Sequence, residues 1–319
     1  MKKNVYLTVL TVVTVLCIIA GSCYHIIGWG TSLSDGWGIP IFSLNGEKED
    51  AGSMISRQDQ PLDNFTSIDA DVHVMSLTLK PGNAASISYK CNARLEPKYE
   101  VENDTLYITQ NSVNNIFGNK KCSVTLTLPA DVYYDALTLL ADVGDLNIDS
   151  IKGKSLHLDA DVGDINLDSC EFESLELIAD VGDINIEQAD VNTLDISADV
   201  GDVDIKDSNF MQLTVENSVG NIDVESNTDL SDYNIDMETS IGDVKVNGAD
   251  HKRSFSQDGT DRGKSVNLTN DTGDIDLKYS THISSLSSER SGTGASKRRR
   301  VRMWVEGFES SQILNYLLA

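Results

Sequence analysis

A short Gly-Asp motif recurs along the chain and constrains the fold more than any other sequence feature. It starts at Gly144 and returns four times at intervals of 19 residues, once as Gly-Asn, before two longer steps of 22 and 31 residues. Repeats of this length are typical of solenoids, in which each unit buries its apolar side against its neighbours. The seven turn glycines are Gly144, Gly163, Gly182, Gly201, Gly220, Gly242 and Gly273.

Apolar residues keep the same phase in all seven units. They stand seven and five residues before each glycine, and again two and four residues after it, with polar residues between them. Such alternation is typical of a strand that buries one face. Each unit therefore predicts two strands joined by two turns. Stacked in register, the units predict an all-β, single-stack β-solenoid (β-helix-like) with rungs of about 19 residues.

The turn residues fit this interpretation. In the segment 161–164, Gly163 occupies the third turn position, where a type II turn needs a positive φ. Asp161, at the first position, is expected to accept a hydrogen bond from the backbone N–H two residues later. Phe172, Val191 and Phe210 share one phase and are expected to fill the second corner of the rung.

The segments around the repeat have different compositions. Alternating strands are predicted between residues 64 and 129, and the long step before Gly273 contains a loop insertion at 249–264 that is a reasonable place for partner contacts. The domain prediction is as follows: 1–29 membrane anchor or signal; 30–63 extracellular linker; 64–278 β-solenoid, with 64–130 an irregular capping region and 131–278 the regular repeats; 279–319 linker and basic, amphipathic tail.

Charge is concentrated in the repeats. The 319-residue chain has a formal charge of −25, whereas residues 131–277 hold 35 acidic and 8 basic residues and carry −27. A nucleic-acid-binding protein needs a basic face for phosphates, so this class is excluded.

The N-terminus predicts a membrane location. Residues 5–27 contain no Asp, Glu, Lys or Arg and are long enough to cross a bilayer as a helix. Lys2 and Lys3 favour the cytoplasmic side, which predicts a single-pass cell-membrane protein with an extracytoplasmic body. Two alternatives are a cleaved secretory signal ending near Ala20–Ser22 and a lipoprotein signal with Cys23 as the modified residue.

Cysteines Cys91 and Cys122 both fall in or beside predicted strands. In an exported protein they could form a disulfide, and the alternative is two unrelated buried thiols. The sequence holds no CxxC pair, which argues against a structural zinc site.

The repeated Ala-Asp-Val-Gly-Asp-Ile unit, best seen at 160–165 and 179–184, resembles the bacterial putative-adhesin family, a cell-envelope domain of unknown function built on Gly-Asp repeats. The resemblance covers about residues 64–278. It implies a β-solenoid at the cell envelope, and some relatives are encoded beside envelope-stress regulators. It offers no catalytic residues to transfer to this chain.

Two columns of aspartates should line the stack. Hard cations prefer several carboxylate and carbonyl oxygens, so a row of Ca²⁺ sites is one interpretation. The other is a set of turn-forming side chains that point into water with diffuse counterions. The columns are Asp142, Asp161, Asp180 and Asp199 in one, and Asp145, Asp164, Asp183 and Asp202 in the other.

No catalytic motif accompanies the repeats, since a Gly-x-Ser-x-Gly elbow, a His-Glu-x-x-His helix and a phosphate-binding loop are all missing from the sequence. We therefore expect a non-enzymatic, membrane-anchored, adhesin-like module that binds an extracellular or envelope protein or a wall polymer. The alternatives are an accessory of envelope-stress sensing and, more remotely, a polysaccharide-acting enzyme. The basic run 297–302, beside an apolar stretch, suggests either contact with anionic membrane or wall polymer, or a disordered end.

Overall fold

A computed structural model describes residues 53–110 and 122–280 of the chain. The all-β prediction is confirmed, because the only helical element within these residues is a single 3-10 turn at Ala93–Leu95. The strands are β1 Met54–Pro61, β2 Ser67–Val74, β3 Ser76–Gly82, β4 Ser86–Asn92, β5 Lys98–Glu102, β6 Thr105–Thr109, β7 Ser123–Pro129, β8 Tyr134–Val143, β9 Leu146–Asp149, β10 Lys152–Val162, β11 Ile165–Asp168, β12 Glu171–Val181, β13 Ile184–Glu187, β14 Asp190–Val200, β15 Val203–Val219, β16 Ile222–Ser226, β17 Asn234–Ile241, β18 Val244–Val246, β19 Ala249–Asp250, β20 Ser254–Gln257, β21 Ser265–Thr272 and β22 Ile275–Tyr279.

Each regular unit contributes a long strand to one sheet and a short strand to a second sheet. Neighbouring units pair in parallel with a shift of one repeat, so that Leu156 lies beside Leu175 in the long strands and Ile165 beside Ile184 in the short ones. Between the two sheets lie all the apolar residues of the four predicted columns, none more than 6% exposed. The alternation in the sequence therefore identified the core, and burial of these side chains supplies the main driving force for stacking.

The second corner of the rung is filled by large side chains, as predicted. Phe172, Val191 and Phe210 lie in register in adjacent strands and are at most 3% exposed. One rung earlier the column holds Gly153, where a Cβ would meet the Tyr134 carbonyl oxygen at 2.8 Å and the Phe172 ring at 2.9 Å. A small residue between two aromatic ones keeps this column close-packed.

One end of the stack is closed by the first part of the chain. Strands β2 and β3 form the rung next to β8 and β9, with Ile68 beside Leu137 and Leu77 beside Leu146. Beyond them β6 and β7 still run parallel to the stack. Strands β4, β5 and β1 then add in antiparallel fashion, which ends the rung pattern.

The other end departs from sequence order. In a simple solenoid each unit stacks on the unit before it in the chain. Here the rung formed by β21 and β22 lies between the rung of β15 and β16 and the rung of β17 and β18. The insertion after β18 carries β19 and β20, which pair antiparallel with β18 and β17. The segment between β16 and β17 therefore passes over one rung position, and the insertion after β18 brings the chain back to fill it.

Several predictions concern residues outside the described ranges. They are the N-terminal anchor or signal 1–29, residues 30–52 of the predicted linker 30–63, and the tail from 281 onward. Within the ranges that the structure describes, no helix is long and apolar enough to cross a membrane.

Candidate functional site: the glycine corner

The glycine corner is the turn that joins the long strand of a rung to its short strand, and it contains the repeated Asp-Val-Gly-Asp sequence. All seven repeat glycines have a positive φ, between +143° and +156°. A type II turn requires about +80° at this position, so the predicted turn type is wrong although the sign of φ is right. The chain passes this corner in a more extended conformation that still favours glycine.

Close stacking of the rungs is a second reason for glycine. At Gly182 a Cβ would lie 2.6 Å from the carbonyl carbon of Gly163 and would overlap its oxygen. The same close contact occurs between the glycines of neighbouring rungs along the stack. It follows the order of the rungs in space and not in the chain, because a Cβ at Gly273 would meet Gly220 and one at Gly242 would meet Gly273. Any side chain here would force neighbouring rungs apart.

The residue that follows each repeat glycine, an aspartate in six units and Asn221 in the other, bonds to a neighbouring rung. Its Oδ1 accepts a hydrogen bond from the backbone N–H of the equivalent residue one rung further along, as Asp164 does from Asp183 at 3.0 Å. The local turn bond expected at Asp161 is replaced, because the Gly163 N–H donates to the Val181 carbonyl. The remaining donor-to-acceptor steps are Asp145 to Ser76 Oγ (3.2 Å), Asp164 to Asp145 (3.3 Å), Asp202 to Asp183 (2.9 Å), Asn221 to Asp202 (2.7 Å), Asp274 to Asn221 (3.0 Å) and Asp243 to Asp274 (2.9 Å).

The aspartates that precede the valines form an exposed acidic column. Asp142, Asp161, Asp180 and Asp199 lie side by side in consecutive rungs. Partial burial, followed by the neighbouring carboxylates, raises the pKa of Asp161 and of Asp180. At one end of the column His73 Nδ1 lies 2.6 Å from Asp142 Oδ2. Carboxylates in this column therefore repel one another and attract cations.

Between the two acidic columns runs a column of valines that the sequence analysis missed. Val143 and Val162 are 39% and 48% exposed, and Val181, Val200 and Val219 are partly exposed. Their spacing from the core residues predicts an inward direction, but the chain bends at the glycine and turns them outward. We call this column, continued by Thr272 and Ile241, the valine ridge. The signal available in the sequence was the valine itself, which recurs immediately before four of the glycines and again before Gly220.

The second sheet carries another polar column on its outer face. Asn166 donates to Asn147 and Asn185 donates to Asn166, each at 3.1 Å. Further along the stack the same column becomes Asp204, Asp223 and Asp276. Burial and the two flanking carboxylates raise the pKa of Asp223. Because Lys206 and Lys278 pair with Asp204 and Asp276, this surface is partly neutralised, unlike the glycine corner.

The glycine corner combines apolar side chains with carboxylates. Within residues 53–110 and 122–280, no three His, Cys, Asp or Glu side chains are grouped to hold a metal ion. Each carboxylate of the second column already accepts a backbone N–H, so part of its capacity serves the stack. Calcium binding along the aspartate columns stays a prediction. The corner can present a line of apolar groups between two lines of negative charge.

Comparison with solved structures finds several proteins that are similar to this chain at low sequence identity. They include a putative adhesin from Bacteroides fragilis, which is 18% identical, with 71% of this chain and 97% of that chain covered and a TM-score of 0.39. A putative cell adhesion protein from Clostridium sporogenes is 18% identical, with coverages of 72% and 99% and a TM-score of 0.34. A putative lipid binding protein from Parabacteroides distasonis is 12% identical, with coverages of 72% and 98% and a TM-score of 0.34. No curated protein matches the chain.

The family assignment comes from the sequence of the domain itself. The family model described as Toastrack DUF4097 matches residues 65–278, which is about two thirds of the chain and includes every Gly-Asp repeat. The resemblance inferred from the repeats is thereby confirmed, and the chain belongs to the Toastrack DUF4097 family.

Proposed function

We propose that this chain is a non-catalytic, adhesin-like binding module of the cell envelope, and that the valine ridge with its two flanking aspartate columns is its binding surface. The observation that carries the proposal is the exposure of Val143, Val162 and Ile241 in one continuous column, at 39%, 48% and 43%. Contiguous exposed apolar groups mark interaction sites more often than scattered ones do.

The chemistry of the surface defines the partner. The ridge has carboxylates on both sides, and the repeat region carries a charge of −27. Such a surface selects a partner with apolar groups between cationic ones, and long-range attraction raises the association rate at low ionic strength. We propose an envelope or extracellular polypeptide of this composition as the partner.

The location outside the cytoplasm is inferred from the N-terminal sequence. The uncharged residues 5–27 follow Lys2 and Lys3, which supports a retained span with the body outside. Protease treatment of intact cells tests this part. We expect the repeat region to be digested and the membrane fraction to retain a short N-terminal fragment. Protection of the whole chain until the cells are lysed would contradict the location.

The surface itself is tested by changing three valines of the ridge to threonine. Val162→Thr, Val181→Thr and Val200→Thr preserve shape and charge, and the column already accommodates Thr272. The partner is first captured in intact cells by a photoreactive residue at Val181 and is then purified. We expect the triple variant to bind this partner at least about tenfold more weakly, because three apolar contacts of about 0.5–1 kcal/mol each are lost.

The matched control changes three outward positions of the same rungs. Ser155→Thr, Ser174→Thr and Thr193→Ser alter the outer face of the long strands and leave the ridge intact. Circular dichroism and the Tm show that both variants are folded. Equal binding by the ridge variant and the control variant would refute the ridge as the binding surface.

A further inference from the structure

Two cysteines face each other near the end of the stack. Strands β4 and β7 are antiparallel, with Tyr89 paired to Val124 and Lys90 paired to Ser123. One more step in this register places Cys91 opposite Cys122. The two residues are 31 positions apart in sequence and are brought together only by the fold.

Both side chains point into the core. Cys91 is fully buried and Cys122 is 4% exposed. Side chains directly opposite each other on one face of an antiparallel pair have Cβ atoms about 4.5–5.5 Å apart, and the Cβ separation in disulfides is about 3.5–4.5 Å, so a small shift suffices. The third described cysteine, Cys170, lies in a column between Ile151 and Ala189 and has no cysteine opposite it.

The surroundings of the thiols indicate when such a bond could form. All three described cysteines are thiols in the structure. Burial, and next the neighbouring Cys122, raises the pKa of Cys91 to about 11. Since the thiolate is the attacking species in disulfide exchange, thiols in the folded protein would react slowly. Oxidation is therefore expected while the chain folds, and a bond once formed would be protected from reductants.

We propose that Cys91 and Cys122 form a cross-strand disulfide that locks β4 to β7 at the closed end of the stack. Each thiol gives up one proton, and the two electrons reduce an external disulfide to two thiols. The bond closes a loop that contains β5, β6 and residues 111–121, which restricts the unfolded chain and stabilises the end of the solenoid. Oxidation in the cell also depends on the extracytoplasmic location proposed above, whereas oxidation of the purified chain does not.

The test is refolding of the full chain in a buffer of reduced and oxidised glutathione, followed by alkylation without reduction and tryptic digestion. Cleavage after Lys90, Arg94, Lys121 and Lys152 gives peptides 91–94 and 122–152. We expect these two peptides to be joined by a disulfide and to separate when dithiothreitol is added. Alkylation of both cysteines in protein with the native circular dichroism spectrum, or random pairing with Cys170, would overturn the proposal.

The second measurement is the thermal stability of the chain with and without the disulfide. Dithiothreitol present during refolding should lower the Tm of the wild-type chain by about 5–10 °C. It should leave the Cys91→Ser/Cys122→Ser variant unchanged, and Cys170→Ser should behave like wild type. A disulfide that does not change the Tm would overturn its locking role. A pair that oxidises in the purified chain but is reduced in acid-quenched cells would refute the proposed location, not the geometry.

Discussion

The two corners of each rung both contain a residue with positive φ but use different residue types there. The difference shows why glycine recurs in the repeated motif. Both corners place a residue at positive φ, but the glycine corner uses glycine every time, whereas the second corner uses Ser150, Ser169, Gln188 and Asp207 at +50° to +56°. The left-handed region is accessible to such residues at a modest cost. The repeat glycines differ from these residues in two ways. Their φ of +143° to +156° lies outside the left-handed region that the second corner uses, and the carbonyl of one rung lies too close to the next for a Cβ.

Among the substitutions that test this comparison, Gly182→Ala should cause the largest loss in the free energy of unfolding. Its Cβ would lie 2.6 Å from the Gly163 carbonyl carbon in a backbone conformation of φ +153°. Because the contact is with backbone, the rungs must separate, and we expect a loss of about 4 kcal/mol or more in the free energy of unfolding. Denaturant unfolding followed by circular dichroism measures the effect.

The control for this variant is Gly248→Ala, outside the stack contacts. Gly248 also has a positive φ, +79°, but nothing lies within 4 Å of its added Cβ. We expect a loss of only about 1 kcal/mol, which is the cost of the conformation alone. Equal losses at the two glycines would contradict the expectation that contact between rungs adds to the cost of a side chain in the repeat.

At the second corner the expected effect is smaller and of opposite sign. Gln188 has φ +53°, and its backbone N–H donates to the Lys206 carbonyl. Gln188→Gly relieves the conformational cost and should raise the free energy of unfolding by up to about 1 kcal/mol relative to Gln188→Ala, which keeps that cost. A lower stability for the glycine variant than for the alanine variant would contradict the comparison.

The smallest effect concerns the acidic column beside the glycine corner. Burial, and then Asp161 and Asp199, raises the pKa of Asp180 in the folded chain. A carboxyl with a raised pKa destabilises the fold when it is ionised, and the penalty disappears as the pH falls below the pKa of the unfolded chain. Asp180→Asn should therefore raise the Tm by about 1–2 °C at pH 7 and leave it unchanged near pH 3.

Asp258→Asn is the matched control for charge, because Asp258 is exposed in the insertion and lies outside the aspartate columns. It changes the net charge by the same amount and should leave the Tm unaltered at both pH values. A similar gain in the two variants would assign the effect to total charge instead of to the column.

Much of the fold could be predicted because its signals are periodic. The core columns, the positive φ of the glycines and the filling of the second corner by Phe172 and Phe210 all followed from residue type and spacing. Each of these features depends on contacts between equivalent positions, so a register of 19 residues is sufficient to derive them.

Other features depend on contacts that the periodicity does not encode. The order of the last two rungs could not be predicted, because Val244 and Ile275 offer the same apolar column to the rung of Ile222. The ridge was missed because alternation predicts Val162 to face inward, and only the bend at Gly163 turns it outward. Asp161 was predicted to accept a local hydrogen bond from the backbone two residues later, whereas the Gly163 N–H donates to the Val181 carbonyl of the next rung.

The displaced last rung affects how the molecule can be assembled and shortened. Among the strands of residues 53–110 and 122–280, β17 and β18 pair with the rest of the stack only through β21 and β22, which come later in the chain. During synthesis the penultimate rung must therefore wait for the final strands before it can dock. Cutting the chain back to residue 264 would not trim the outermost layer; it would remove an inner one and leave β17, β18 and their hairpins without a surface to join.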